Sequence, residues 1–256
     1  MGKVVLVTGG ARGIGRATVE LAARRGFDVA IGYRNDPAAA EAAVQAVRSR
    51  GQKAIAVQAD IAKEADVKRM FLETEAGLGR IDGLINSAGI STRQRADAVE
   101  ACQLERLMAV NVIGLMLCCR EAIRRMSKRH GGVGGAIVNV SSMAAAFGGR
   151  PGASHYAGSK GAVDSYTKGV AKEVATEGVR VNAVRPGVTL TDMVEAVRDD
   201  PARKRAISET IPMNRPANAE EIAEPILWLL SDAASFVTGC ILAASGGGFV
   251  IGAGTG

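Results

Sequence analysis

The chain has 256 residues, of which 47% are hydrophobic and 23% are charged, and its formal net charge is +6. This composition is typical of a globular protein, and the length is sufficient for one α/β domain with a full core. Two histidines and four cysteines without a Cys-x-x-Cys pair argue against a metal site. The same cysteine usage is typical of a reducing cytoplasm.

The basic excess does not by itself indicate a nucleic-acid partner. Lysine and arginine are scattered along the chain, and the densest group, at positions 120–129, comes at the end of one predicted helix. A small anionic ligand explains the excess equally well. No signal peptide precedes the first strand and no apolar stretch reaches transmembrane length. We therefore predict neither a nucleic-acid nor a membrane partner.

The predicted elements alternate between strands and helices along the whole chain. Short runs of β-branched and apolar residues predict strands at 4–7, 29–31, 54–57, 83–85, 136–140, 180–184 and 241–244. Apolar residues at helical spacing predict helices at 14–26, 37–50, 64–77, 104–129, 155–177 and 219–231. The segment 192–210 is charged and has poor periodicity. Strands separated by helices indicate βαβ units with right-handed crossovers and a parallel sheet.

No linker long or polar enough to divide the chain is present. We therefore predict a single α/β domain over residues 1–256. Its core is a doubly wound, seven-stranded parallel sheet with helices on both faces.

A glycine-rich turn lies between the first strand and the first helix, where residues 8–15 read TGGARGIG. Glycines at Gly9, Gly13 and Gly15 let the backbone turn sharply and approach a pyrophosphate, and the helix N-terminus supplies free N–H groups. Because the turn directly follows a buried strand and opens a helix, it indicates a Rossmann-type dinucleotide site. The alternative is a glycine-rich turn that binds no ligand.

The end of the second strand indicates which dinucleotide is bound. An NAD site usually has an acidic residue there, which holds the ribose 2′-hydroxyl. Here Asp36 precedes Pro37 and is better interpreted as a helix N-cap. Arg12 and Arg34 could converge on a 2′-phosphate, although either could be a solvated side chain. We predict that NADP(H) is favoured over NAD(H).

Tyr156 and Lys160 are four residues apart and lie on one face of a predicted helix. A phenol normally titrates near pH ~10, and a nearby ammonium group lowers that pKa. The pair can therefore transfer a proton at a carbonyl or alcohol oxygen. Taken alone, the spacing also fits an ordinary surface pair.

The order of the motifs along the chain resembles that of the short-chain dehydrogenase/reductase family, and the resemblance covers essentially the whole chain. Within that family, the chain most resembles glucose-dehydrogenase-like and 3-oxoacyl-carrier-protein-reductase-like members. Residues 8–15 resemble its cofactor turn, 60–61 the pair that meets the adenine, and 86–89 its Asn-Asn-Ala-Gly turn. Ser87 replaces the second Asn, which is expected to change one hydrogen bond beneath the sheet. Residues 137–142 resemble the strand that carries the catalytic serine, and 186–191 the loop that closes over the nicotinamide.

The resemblance implies distinct roles for four catalytic residues. Ser142 would hydrogen-bond the substrate oxygen, and Tyr156 would transfer the proton as hydride passes to or from the nicotinamide. Lys160 would lower the pKa of the tyrosine and hold the ribose, and Asn111 would keep a water in a proton relay. The residues predicted to bind the dinucleotide are Gly9, Arg12, Gly13, Ile14, Gly15, Arg34, Asp60, Ile61, Asn86, Ala88, Gly89, Tyr156, Lys160, Pro186, Gly187, Thr189 and Thr191.

The predicted function is an NADP(H)-preferring oxidoreductase that acts on a small ketone or secondary alcohol, as a homotetramer. The substrate would lie outside the carboxyl ends of the strands, under a loop at about 189–212. The charged run at 198–205 is either a lid or a solvated helix face. His155 is either a second acid or a residue of the rim. The alternative function is a catalytically silent dinucleotide-binding sensor or scaffold.

Overall fold

All seven predicted strands are present in the structure, a computed structural model that describes residues 2–194 and 199–248. The strands are β1 (Val4–Thr8), β2 (Asp28–Tyr33), β3 (Ala54–Gln58), β4 (Ile81–Asn86), β5 (Gly135–Val140), β6 (Val179–Pro186) and β7 (Ile241–Ala244). They form one parallel sheet in the order β3-β2-β1-β4-β5-β6-β7. The central strands are continuous apolar runs because helices cover both of their faces.

Helices pack on both faces of this sheet. The helices of the described residues are α1 (Gly13–Arg24), α2 (Pro37–Arg48), α3 (Glu64–Leu78), α4 (Ala101–Met108), α5 (Leu115–Met126), α6 (Ala144–Phe147), α7 (Ser154–Val174), α8 (Pro201–Ser208) and α9 (Ala219–Leu230). One apolar core lies between the sheet and α1, α2 and α9, and a second lies between the sheet and α3, α5 and α7. The predicted doubly wound, Rossmann-type α/β fold is therefore confirmed.

The strand order reverses direction at β1, which lies between β2 and β4. Chains leaving the carboxyl ends of β1 and β4 consequently diverge to opposite faces of the sheet. At this end, Thr8 of β1 stands opposite Gly32 of β2 and Asn86 of β4. In open α/β sheets, the crevice at such a switch point is where ligands bind.

The prediction of one continuous helix over residues 104–129 is wrong. A π-helical turn, Ala109–Gly114, separates α4 from α5, and a short 3₁₀ turn, Lys128–His130, follows α5. At Gly114 a Cβ atom would lie 2.6 Å from the carbonyl oxygen of Ile61, so the wide turn brings two backbones into close approach. The turn also contains Asn111, whose contacts are described below.

Part of the charged segment 192–210, whose periodicity is poor, forms α8. Asp200 caps this helix by accepting hydrogen bonds from the N–H groups of Ala202 and Arg203. Residues 201–206 are exposed, which agrees with a solvated helix face. Arg198 of the predicted charged run 198–205, and residues 195–197 of the predicted substrate loop at about 189–212, lie outside the described residues.

The helical run Ala101–Met126 has 26 residues and contains an 18-residue window with a mean hydropathy of 1.4, which by length and composition is enough to cross a membrane. The prediction that no apolar stretch reaches such a length is therefore wrong. Core helices of soluble proteins meet the same criterion, and this run packs against α3, α7 and β4. Its basic end is neutralised in part, because buried Glu121 pairs with Arg120, Arg124 and Arg125.

Candidate active site

The glycine turn between β1 and α1 is too tight for any side chain at two of its positions. A Cβ atom at Gly15 would lie 2.2 Å from the carbonyl oxygen of Gly9, and one at Gly9 would lie 2.8 Å from the Cα atom of Ala88. The α1 N-cap residue, Arg12, makes no side-chain capping bond, and the first turn of α1 has no acidic residue. The N–H groups and the positive end of the helix dipole therefore remain available for an anion such as a pyrophosphate.

The predicted nicotinamide loop at 186–191 lies against this turn. A Cβ atom built on Gly13 would lie 3.4 Å from the Cγ2 atom of Thr191. The loop is fixed at its start, because the carbonyl oxygen of Pro186 accepts from Met143 N–H (3.0 Å) and Gly187 N–H donates to Ala244 (2.9 Å). Thr189 is buried. The structure therefore brings the glycine turn and the closing loop together, as a bound dinucleotide requires.

A cleft of ≈ 460 Å³ lies beyond the carboxyl ends of β2 and β3. Asp60 pairs with Arg106 at 2.9 Å, and Asp66 pairs with Arg69 at 3.4 Å. Arg34 is exposed and donates to the side chain of Asn35. The residues that line the cleft are Arg34, Asn35, Gln58, Asp60, Lys63, Asp66, Arg69 and Arg106.

The cleft holds Arg34 but not Arg12, so its lining does not show the predicted convergence of these two arginines. Asp36 caps α2 by accepting from the N–H group of Ala39 at 2.9 Å. This agrees with its interpretation as an N-cap. Asp36 is therefore occupied by the helix, whereas the cleft offers cationic side chains to a phosphate.

Two predicted cofactor residues turn their side chains into the core. Asn86 is 2% exposed, and its amide group donates to the side-chain oxygen of Asn139 at 2.9 Å. Ile61 is 6% exposed and belongs to the apolar core beside α5. Only main-chain atoms of these two residues could face a nucleotide. Ala88 and Gly89 remain at the crevice, and Ala88 N–H donates to the hydroxyl of Thr8 at 3.2 Å.

Asn111 joins three parts of the site through its side chain. Its Oδ1 atom accepts from Ile90 N–H at 2.9 Å, and its Nδ2 atom donates to the Ile90 carbonyl (2.9 Å) and to the hydroxyl of Ser159 (3.1 Å). The Ser159 hydroxyl donates in turn to the carbonyl oxygen of Tyr156 at 2.7 Å. Asn111 therefore fixes the chain after β4 against the first turns of α7. Ser159 and the Ile90 backbone are partners that no sequence motif identified.

Ser142 and Tyr156 form a hydroxyl pair at the mouth of the crevice. The Ser142 side chain acts on the Tyr156 phenol in the direction that lowers its pKa, and the Ser142 hydroxyl accepts from Ala144 N–H at 3.1 Å. The neighbouring Ser141 is buried, and its hydroxyl donates to the carbonyl oxygen of Lys160. The structure thus places Ser142, and not Ser141, beside the tyrosine.

Lys160 is buried beneath this pair. Its Nζ atom donates to the carbonyl oxygen of Val140 at 2.8 Å and lies 5.9 Å from the centre of the Tyr156 ring. Burial lowers the pKa of Lys160 to about 8, and the carboxylate of Asp164, one turn further along α7, opposes that shift. Arg185 on β6 holds this carboxylate at 2.8 Å.

The expected lowering of the tyrosine pKa is wrong for this arrangement. Burial among protein atoms raises the pKa of Tyr156, and the hydrogen bond with Ser142 only partly offsets that effect. Lys160 donates its hydrogen bond to the carbonyl oxygen of Val140 in the sheet. Its positive charge therefore acts on the Tyr156 phenol by electrostatic attraction alone. Tyr156 is consequently a protonated phenol at neutral pH, which suits it to donate a proton.

His155 is anchored to the loop after β4. Its Nε2 atom lies 2.8 Å from the hydroxyl and 3.1 Å from the carbonyl oxygen of Thr92. This contact fits the interpretation of His155 as a rim residue. Among residues 2–194 and 199–248, no group of three or more His, Cys, Asp or Glu side chains could hold a metal ion.

Comparison with known proteins gives consistent matches over nearly the whole chain. The family model described as enoyl-(acyl carrier protein) reductase matches residues 9–248. An uncharacterised oxidoreductase of Escherichia coli (strain K12), YgfF, is 44% identical over 245 residues, which are 95% of this chain and 99% of that protein. A 2,5-dichloro-2,5-cyclohexadiene-1,4-diol dehydrogenase of Sphingobium indicum is 41% identical over 250 residues, 96% of each chain.

A third relative is the 3-oxoacyl-[acyl-carrier-protein] reductase FabG of Staphylococcus epidermidis, which is 34% identical over 247 residues, 96% of this chain and 99% of that protein. The names of the relatives describe different activities, although each matches at least 95% of this chain. The chain belongs to the short-chain dehydrogenase/reductase family, whose members are oxidoreductases that use nicotinamide dinucleotides.

Proposed function

We propose that this protein transfers hydride between NADP(H) and a ketone or secondary alcohol, with Tyr156 as the acid/base. The observation that carries the proposal is the position of the Ser142 and Tyr156 hydroxyl groups beside a buried Lys160, which donates to the carbonyl oxygen of Val140. Two hydroxyl groups at one point can both bind a single substrate oxygen. The names of two relatives, a 3-oxoacyl reductase and a diol dehydrogenase, fit carbonyl–alcohol chemistry.

The cofactor, when bound, supplies or accepts the hydride. In the reductive direction, Ser142 holds the carbonyl oxygen through its hydroxyl and fixes its position. Tyr156 donates its phenolic proton to that oxygen as negative charge develops, and the raised pKa keeps this proton in place until then. Solvent later returns a proton to the phenolate.

Lys160 and Asn111 support this proton transfer from below. The positive charge of Lys160 stabilises the phenolate that remains on Tyr156, because the surrounding protein screens the charge less than water would. Asn111 positions α7, and with it Tyr156, by binding Ile90 and Ser159. The Asn111 amide group both accepts hydrogen bonds from protein atoms and donates to them. We therefore assign Asn111 a positioning role in preference to a role in a water relay.

The preference for NADP(H) is supported by the cleft beyond β2. Arg34 stands at its edge, and Lys63, Arg69 and Arg106 add positive charge, of which Asp60 and Asp66 compensate a part. A 2′-phosphate would balance the remainder and could accept bidentate hydrogen bonds from the Arg34 guanidinium. Arg12 is the N-cap residue of α1, so its side chain would contact the pyrophosphate of the same ligand.

The test is a panel of ketones, aldehydes, sugars and acyl thioesters, followed by NADPH absorbance with the wild-type protein. We expect turnover of at least one carbonyl class, lost in Ser142→Ala. Tight NADPH binding without turnover of any compound, and without oxidation of the corresponding alcohols, would support the alternative of a dinucleotide-binding sensor or scaffold.

We also propose that the chain works as one domain in a cytoplasmic homotetramer. Four cysteines, none in a disulfide, support a reducing compartment. On the run that includes α4 and the π-helical turn, Met108 and Ile113 are 38% and 52% exposed, which supports a contact between copies of the chain. Sedimentation equilibrium tests the assembly, and a monomer at micromolar concentration would refute it.

A further inference from the structure

One short segment, residues 60–62, contacts the chain on both sides of Asn111. The segment follows β3 and opens onto the cleft that takes the 2′-phosphate in the proposed function. Before the π-helical turn, the guanidinium of Arg106 lies 2.9 Å from the carboxylate of Asp60. At the end of that turn, Gly114 packs so closely on the carbonyl oxygen of Ile61 that a Cβ atom would lie 2.6 Å from it. We call residues 60–62 the clamp segment.

Hydrogen bonds fix the clamp segment itself. The N–H group of Asp60 donates to the carboxylate of Asp66 at 2.9 Å, and Oδ1 of Asp60 accepts from Ala62 N–H at 3.1 Å. The same Oδ1 atom accepts from Arg106 at 3.1 Å, and the Oδ2 atom forms the 2.9 Å contact. Both carboxylate oxygens of Asp60 are therefore engaged. The Asp60 side chain is 19% exposed, so water screens its pair with Arg106 less than it screens a fully exposed pair.

The helix that carries Arg106 has few other anchors. Of the eight residues of α4, Leu107 alone is buried, and the helix also contacts α7. A helix with so little buried surface opens locally at low cost, so a charge-assisted pair in its last turn has a large share in fixing it. Because α4 runs without a break into the π-helical turn, a displacement of Arg106 also displaces Asn111.

The π-helical turn is an element that can adopt a second arrangement. A π-helical turn is rare within α-helices and persists where its surroundings hold it. Here the clamp segment holds both sides of the turn. Without those contacts the turn would relax toward an α-helix, which rotates the side chain of Asn111 away from Ile90. The bond from Asn111 to Ser159, and from Ser159 to the carbonyl oxygen of Tyr156, would then be lost.

We propose that the clamp segment couples the nucleotide cleft to the catalytic tyrosine. A nucleotide in the cleft holds Asp60 and Lys63, which line it, and Asp60 holds Arg106. The π-helical turn then keeps Asn111 and α7 in the arrangement that transfers the proton. Arg106 is thus a positioning residue that acts on Tyr156 through Asn111. The inference rests on the proposed function, because it adds to that function a use of the adenosine half of the cofactor, which lies far from the reacting atoms.

The test divides NADPH into two halves: reduced nicotinamide mononucleotide, which donates hydride, and adenosine 2′,5′-bisphosphate, which fills the cleft. Reduction of the carbonyl compound found in the substrate panel is measured with the mononucleotide, without the bisphosphate and with saturating bisphosphate. In the wild type we expect the bisphosphate to raise kcat/KM for the mononucleotide at least about tenfold. In Arg106→Ala the increase should be less than about twofold, because the filled cleft no longer acts on α4.

Arg69→Ala is the matched control, because Arg69 lines the same cleft from α3, where it pairs with Asp66. This variant removes the same charge, so the bisphosphate should bind more weakly, but the activation at saturation should persist. Arg106→Lys keeps a cation beside Asp60 and should retain part of the activation. A purely structural role of Arg106 would instead lower the rate by the same factor with and without the bisphosphate.

Hydrogen exchange at the Ile90 amide, which donates to Asn111, is a second measurement that requires no turnover. The bisphosphate should slow this exchange at least about fivefold in the wild type, because Asn111 is then held more firmly. In Arg106→Ala the bisphosphate should leave the exchange unchanged.

If the wild type reduces a carbonyl with NADPH but the bisphosphate does not activate the mononucleotide reaction, the inference is wrong. It is also wrong if Arg106→Ala is activated as strongly as the wild type. A wild type that reduces no carbonyl would refute the proposed function, and the exchange at Ile90 then decides the inference alone. Slower exchange that Arg106→Ala abolishes would support it, and a wild type whose exchange the bisphosphate leaves unchanged would overturn it.

Discussion

The ammonium nitrogen of Lys160 lies 5.9 Å from the centre of the Tyr156 ring, and the hydrogen bond it makes is not to the phenol. The lysine instead donates to the carbonyl oxygen of Val140. Burial lowers the pKa of the lysine and raises the pKa of the tyrosine, so each shift favours the neutral form of its group. The two residues therefore act as a proton donor and a nearby charge whose presence depends on pH.

The first expected consequence concerns stability at alkaline pH. In the folded protein Lys160 loses its proton near a pKa of about 8, whereas the unfolded chain keeps it up to the ordinary value of 10.5. Between these values the unfolded chain binds more protons, so the free energy of unfolding rises with pH. We expect the wild type to gain up to about 3 kcal/mol over this window, a gain absent in Lys160→Met.

Urea unfolding of both proteins at pH 7 and pH 10 measures this difference. If the difference in the free energy of unfolding between the wild type and Lys160→Met is the same at pH 7 and at pH 10, the assigned direction of the Lys160 pKa is wrong.

The second consequence concerns Asp164, whose carboxylate opposes the shift at Lys160 and is held by Arg185. Asp164→Asn removes that charge, so the pKa of Lys160 should fall further below its present value of about 8. Because the protonated lysine stabilises the phenolate, the reductive rate should decline at a lower pH than in the wild type. We also expect a loss of about 3 kcal/mol in stability, since Arg185 loses its buried partner.

The measurement is kcat/KM for reduction between pH 6 and pH 9, with Asp164→Glu as the charge-conserving control. If kcat/KM declines at the same alkaline pH in Asp164→Asn and in Asp164→Glu, Asp164 does not act on the lysine.

The third consequence concerns the choice of dinucleotide. Removing the guanidinium in Arg34→Ala should raise the Kd for NADPH about tenfold or more, because a charge-assisted contact to the 2′-phosphate is lost. The Kd for NADH should change less than about twofold. Calorimetry of both nucleotides provides the values, with the exposed Arg50→Ala as the control. Parallel weakening of both nucleotides would place Arg34 outside the 2′-phosphate site.

The fourth consequence concerns the shape of the glycine turn. Gly15→Ala places a Cβ atom 2.2 Å from the carbonyl oxygen of Gly9, so the turn must shift and NADPH binding should be lost. Gly169→Ala is the matched control, because a Cβ atom at that exposed helical position meets nothing within 4 Å. It should bind NADPH normally and gain about 1 kcal/mol in stability. Undiminished NADPH affinity in Gly15→Ala would contradict the role of the turn.

Local sequence signals predicted the seven strands and their parallel arrangement with few errors. Runs such as Val4–Thr8 are apolar on both faces, which distinguishes a buried parallel strand without any tertiary information. The break at Ala109–Gly114 has no such signal, because the π-helical turn depends on the contact of Gly114 with Ile61 and on the bonds of Asn111 with Ile90. Periodicity alone therefore predicted one continuous helix.

The candidate site shows the same division. The spacing of Tyr156 and Lys160 predicted their shared helix face, but the direction of the tyrosine pKa depends on burial, which no spacing reveals. Likewise the hydrogen bonds of Asn111 with Ile90 and Ser159 join residues that no motif pairs, so only the fold brings them together.

The central claim is that the phenolic proton of Tyr156 is the one transferred to the substrate. Tyr156→Phe keeps the ring and removes only the hydroxyl, so kcat for reduction should fall at least about 1,000-fold while the NADPH Kd changes less than about threefold. Tyr166→Phe, ten residues further along α7, controls for the loss of a buried hydroxyl. A Tyr156→Phe protein whose kcat stays within tenfold of the wild type would contradict the account.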